Sequence, residues 1–127
     1  MSSYYVEMID APDVPGSTTE TYVGFIVKEF GTNKTLEDCR VGFGAFDDDD
    51  TAIPAANAIF MTDMREGTLC APALAGTAAV EVKTSKKGMV VIRVKDLVDE
   101  KVRFRCVPTV GSPCLDCRQI DSVEFKP

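Results

Sequence analysis

Thr77-Ala-Ala-Val-Glu-Val-Lys-Thr-Ser-Lys-Lys-Gly-Met-Val-Val-Ile-Arg-Val-Lys95 is the stretch on which the fold turns. Ala78, Val80 and Val82 alternate with Thr77, Glu81 and Lys83. Beyond Ser85-Lys-Lys-Gly88, Val90, Ile92 and Val94 alternate with Arg93 and Lys95. Successive side chains of a strand point to opposite faces, so this period puts one apolar row in a core and one charged row in water. The connection from Ser85 to Gly88 has hairpin length, which predicts that the two strands pair with each other. Toward the C-terminus, Lys101-Val-Arg-Phe-Arg-Cys-Val107 sets Val102, Phe104 and Cys106 inward against Lys101, Arg103 and Arg105. The closing run Ile120-Asp-Ser-Val-Glu-Phe-Lys-Pro127 does the same with Val123 and Phe125.

Upstream, Thr21 to Phe30 carries Val23, Phe25 and Val27 at period two and leaves through Gly31-Thr-Asn-Lys34. Leu36 to Phe46 places Cys39, Val41, Phe43 and Ala45 on one face. Ala58 to Met64 reads as a short edge strand with weak alternation. Asp47 to Ala56 and Pro108 to Gln119 read as loops, and Gly67 to Gly76 is a small-residue stretch with Pro72 inside. No segment holds a helical period over ten or more residues, which excludes alternating strand and helix units. The expectation is an all-β fold of two antiparallel sheets packed face to face, in one domain spanning 21–127. A chain of 127 residues suffices for one core and not for two ordinary domains.

Residues 1–20 hold Pro12, Pro15 and Gly16 and no sustained period, so they are expected to form an extended N-terminal arm. Within it Tyr4, Tyr5, Val6, Met8 and Ile9 seek burial and are the candidate assembly-interface residues. Either this segment adds a strand to its own sheet, or it lies on a neighbouring subunit by strand addition. Adjacent tyrosines favour contact because they bury large amphipathic area at low entropy cost.

Composition narrows the function. With 14 Lys+Arg against 20 Asp+Glu the net charge is -6, which repels phosphate backbones and anionic headgroups, so neither nucleic acid nor membrane is an expected partner. The N-terminus lacks the basic start and apolar core of a secretory signal, so the chain is expected to be made in a cytoplasm. In that reducing setting Cys39, Cys70, Cys106, Cys114 and Cys117 read as free thiols or metal ligands. Cys114-Leu-Asp-Cys117 lacks the following helix that a redox pair needs; with Cys106 it forms the candidate zinc set, beside the readings of free thiols or a disulfide formed after lysis. Cys39 and Cys106 both fall on inward rows and could approach across the core, although a buried Cys is commonly a small hydrophobe. Asp47-Asp-Asp-Asp50 lacks the spacing and Gly of a helical calcium loop and reads as a solvated acidic loop. His is absent, which removes the ordinary hydrolytic triads and most catalytic zinc sites. The chain is therefore expected to be no enzyme, with no catalytic residue and no cofactor.

The run Gly76 to Lys95, together with the closing Ser122-Val-Glu-Phe-Lys-Pro127, resembles the bacterial immunoglobulin-like modules of invasin and intimin type. Such modules end in a Gly-introduced hairpin, a Val-rich strand and a strand closing on an aromatic and a Pro. The resemblance implies an immunoglobulin-like β-sandwich over residues 21–127. A lone fold of that kind behind a free arm also resembles the decoration, cement and fibre-associated proteins of tailed bacteriophages. It implies a structural protein of the virion surface, partnered by its own copies and a protein shell or fibre. The alternative is a glycan- or receptor-binding adhesion module working through Asp47 to Ala56 or Pro108 to Gln119. The absence of Trp, and of any aromatic in the later loop, counts against it.

Overall fold

Alternating burial is realised in a computed structural model that describes residues 4–9, 19–29, 31–47, 49, 51, 53–54, 58–70, 79–98, 100–107 and 119–125. Among these the chain forms strands only: β1 Tyr4–Ile9, β2 Glu20–Glu29, β3 Arg40–Phe46, β4 Ala58–Glu66, β5 Thr68–Leu69, β6 Ala79–Lys83, β7 Met89–Asp96, β8 Glu100–Val107 and β9 Gln119–Phe125. They make two antiparallel sheets, ordered β1-β2-β7-β4 and β5-β6-β3-β8-β9. The inward rows meet between the sheets, as period-two burial requires. Val23, Phe25 and Val27 of β2, Val90, Ile92 and Val94 of β7, Val41 and Phe43 of β3, and Val102 and Phe104 of β8 are all fully buried. Phe43 is the pivot of this interior, its ring centroid 5.4 Å from Phe25 in the opposite sheet and 5.6 Å from Phe104 on the neighbouring strand.

The expected hairpin at Ser85 to Gly88 is not one. β6 pairs with β3 and β5, whereas β7 pairs with β2 and β4, so the tight turn carries the chain from one sheet to the other. Its geometry suits a corner. Gly88 has φ +74°, and a Cβ there would lie 2.8 Å from Thr35 Cβ and 3.1 Å from the Leu36 nitrogen. Thr84, buried just before the turn, donates its hydroxyl to the Leu36 carbonyl and accepts from the Cys39 N–H at 2.8 Å. The turn is thus tied to the segment leading into β3, across which no hairpin register exists.

Two further expectations shift. The strand foreseen from Leu36 starts only at Arg40, because Asp38 takes φ 56° in a turn over 37–38. Within the small-residue stretch Gly67 to Gly76, where no strand was foreseen, Thr68 and Leu69 form a short strand against Lys83 and Val82. Gly67 permits it with φ +88°, since a Cβ there would meet the Lys83 carbonyl oxygen at 2.7 Å. The edge position foreseen for Ala58 to Met64 is that of β4, whose register against β7 shifts twice.

Candidate functional site

β1 joins its own sheet as the edge strand, pairing antiparallel with β2 from Tyr4↔Glu29 to Ile9↔Gly24 without a register shift. Its inward row is Tyr4, Val6 and Met8, opposite Glu29, Val27 and Phe25. Tyr4 and Val6 are core residues, 2% and 3% exposed, and the Tyr4 hydroxyl donates across the interior to the Arg40 carbonyl at 3.3 Å. Met8 continues the same row but is 52% exposed. On the other face Tyr5 donates to Asn33 Oδ1 at 2.8 Å, Glu7 meets Lys28 at 3.2 Å, and Ile9 is half-buried. The five arm residues singled out in the sequence therefore divide. Tyr4 and Val6 anchor the strand, while Tyr5, Met8 and Ile9 remain at least partly open to a neighbour.

A sheet edge is a template for pairing, and folded proteins usually blunt theirs with bulges, short strands or charge. Among the described residues three of the four sheet edges are interrupted or short: β4 by two register shifts, β9 by one against β8, and β5 by its two-residue length. β1 is six residues long and regular, with Glu7 as its one charge.

Among the described residues Cys39 and Cys106 do not converge. Cys39 lies ahead of β3, its N–H bound to the Thr84 hydroxyl, and Cys106 stands opposite Phe43 on β8, in the same sheet. Four positions of strand separate them, at about 3.3 Å each, so a cross-core approach like that of antibody cysteines is ruled out by topology. Cys70 is free and half-buried, and burial foremost pushes its thiol pKa up, which leaves it a weak nucleophile. Cys114 and Cys117, the remainder of the candidate zinc set, lie outside the described residues. No three His, Cys, Asp or Glu side chains among the described residues are arranged to hold a metal ion. Of the acidic run, Asp47 accepts from the Asp49 and Thr51 N–H groups at 2.8 and 2.9 Å, closing a turn upon itself, and Asp48 and Asp50 lie outside the described residues.

One cluster escaped the sequence reading. On the outer face of the first sheet Tyr22 donates to Asp63 at 3.3 Å, Asp63 meets Arg93 at 3.4 Å, and the Arg65 guanidinium sits 4.6 Å above the Tyr22 ring. The Tyr22 hydroxyl is the main cause of a raised Arg65 pKa. This group fastens the irregular β4 to β2 and β7. Its residues come from three strands and from a register that shifts, so no local pattern announced it.

Comparison with protein-family models, with curated proteins and with solved structures yields no match. No helix among the described residues is long and apolar enough to cross a membrane.

Proposed function

We propose that this chain is a non-enzymatic interaction protein of a larger assembly, an immunoglobulin-like sandwich of the kind that decorates or cements phage capsids, docking through β1. The observation that carries this reading is the regular, unbulged β1 edge, whose inward row ends in the exposed Met8. A strand laid along such an edge gains main-chain hydrogen bonds, and the exposed side chain supplies apolar contact. Strand order supports the immunoglobulin-like part. The order β1-β2-β7-β4 facing β3-β8-β9 follows the arrangement of a constant-type domain, with β5 and β6 added on the free side of β3. The virion setting, with its own copies and a protein shell as partners, rests on the resemblance to phage decoration proteins alone.

The test is analytical ultracentrifugation of the chain and co-sedimentation with capsids from its source, comparing wild type with Met8→Lys. The reading expects the variant to keep its thermal midpoint and lose association. Equal association of both proteins, or none with the wild type, would overturn it.

A further inference from the structure

The inward rows of three strands end in acids at one end of the sandwich. Val90, Ile92 and Val94 of β7 are followed at the same parity by Asp96; Val102 and Phe104 of β8 are preceded by Glu100; and Val41, Phe43 and Ala45 of β3 are followed by Asp47. Asp96 is fully buried. Its Oδ1 accepts from the Val98 N–H at 2.8 Å, and its backbone N–H donates to the Thr19 carbonyl at 2.8 Å. Its Oδ2, and likewise Oε2 of Glu100, are buried with no donor among the described residues. The two carboxyl groups are within hydrogen-bonding reach of each other. Two acceptors in contact lack one thing, a proton between them, which would satisfy both buried oxygens at once.

We propose that protonated Glu100 donates to the buried Asp96 carboxylate and that the pair forms a pH-sensitive latch that closes this end of the sandwich and loosens as the solution becomes alkaline. Burial first, then the hydrogen bond and the charge of Asp96, and lastly the charge of Asp47, push Glu100 up to about 7. Among the described residues the charged influences on Glu100 are acidic: Asp96 at the end of β7 and Asp47 after β3. On its own strand the next residue, Lys101, lies on the opposite row and is exposed. When the O–H bond breaks, the proton goes to solvent and two like charges remain in a buried contact. The strain falls where the chain leaves Asp96, at Leu97 and Val98, 55% and 39% exposed. The direction follows from linkage. Glu100 binds its proton more tightly folded than unfolded, so its stabilisation is complete below the ordinary glutamate value of 4.5 and is lost as pH rises through about 7.

The experiment is thermal unfolding from about pH 5 to about pH 8 for wild type, Glu100→Gln and Asp96→Asn, in chelator and in calcium, with carboxyl-carbon NMR titration of Glu100. Expected are a wild-type midpoint that falls across this range, a Glu100→Gln curve that is flatter and higher by on the order of 4 °C at the alkaline end, and a Glu100 titration midpoint near neutral pH. Parallel curves for wild type and Glu100→Gln, or a Glu100 midpoint in the ordinary carboxylate range, would overturn the latch. Calcium-dependent stabilisation of the wild type with an ordinary Glu100 titration would overturn it in favour of a cation site. None of these readouts depends on association through β1.

Discussion

Thr84 shows what one side chain decides. It continues the inward row of Val80 and Val82, and a polar residue there requires partners. It finds two, the Leu36 carbonyl and the Cys39 N–H, and through them fixes the corner where the chain changes sheets. Thr84→Val keeps the shape, removes both bonds and strands two backbone groups. The expected loss is about 1–3 kcal/mol, read as a lower denaturant midpoint at unchanged slope. Gly88→Ala strikes the same corner by another route, because φ +74° and a contact of 2.8 Å to Thr35 leave no place for a methyl group. A loss of at least about 1 kcal/mol is expected in the same measurement. Buried residues of this kind are legible in sequence only in part. The parity of Asp96 with Val94, and of Glu100 with Val102, stood in the alternation, but runs read as stopping at Lys95 and restarting at Lys101 leave both acids between strands and hide that they point inward.

Among the elements, β1 carries the functional proposal and also the sharpest separation of stability from docking. Removing residues 2–12 would strip Tyr4 and Val6 from the core, so loss of association by such a deletion would report unfolding as readily as docking. Single substitutions separate the two. Tyr4→Ala removes a buried ring and the hydroxyl that reaches Arg40, and is expected to cost about 3–5 kcal/mol, measured by chemical denaturation. Met8→Lys changes an exposed position and is expected to shift stability by no more than about 0.5 kcal/mol. A large loss in Met8→Lys would mean that this side chain serves the fold and not a neighbour. The strands with strict alternation, β2, β3, β6, β7 and β8, were legible because sterically alternate side chains leave a direct trace. The apolar character of Tyr4 to Ile9 was legible too, and its pairing was not, since Pro12, Pro15 and Gly16 separate it from β2 without dictating where it returns. The partner of each strand is fixed by long-range contact. A turn the length of Ser85 to Gly88 serves a hairpin or a corner equally well, and only the tie from Thr84 to Leu36 and Cys39 selects the corner.

Across the whole molecule, each sheet has an interior and a periphery, and stability should be graded accordingly. β2 and β7 lie inside the first sheet and β6, β3 and β8 inside the second. β6 has only the two-residue β5 on one side, which leaves β2, β7, β3 and β8 as the four strands with a long ladder on each side. The Phe25, Phe43 and Phe104 rings join the two interiors. Breaking any of these four strands breaks two ladders and opens the core, so their amides should exchange hydrogen only through global unfolding. β5 is held on one side by two residue pairs and should open locally at far lower cost. β1 falls between these limits: it has one ladder, but Tyr4 and Val6 are sealed in the core while Met8 is not. Native-state hydrogen exchange should therefore show protection falling along β1 from Val6 to Ile9, and a strand added there should raise it selectively at Met8 and Ile9. Phe43→Ala, which removes the ring joining the sheets, is expected to cost about 3–5 kcal/mol. It should lower protection equally in β2, β3, β7 and β8, because all four share one unfolding event. Loss confined to β3 and β8 would mean that the sheets unfold separately and that the Phe25 contact does not couple them.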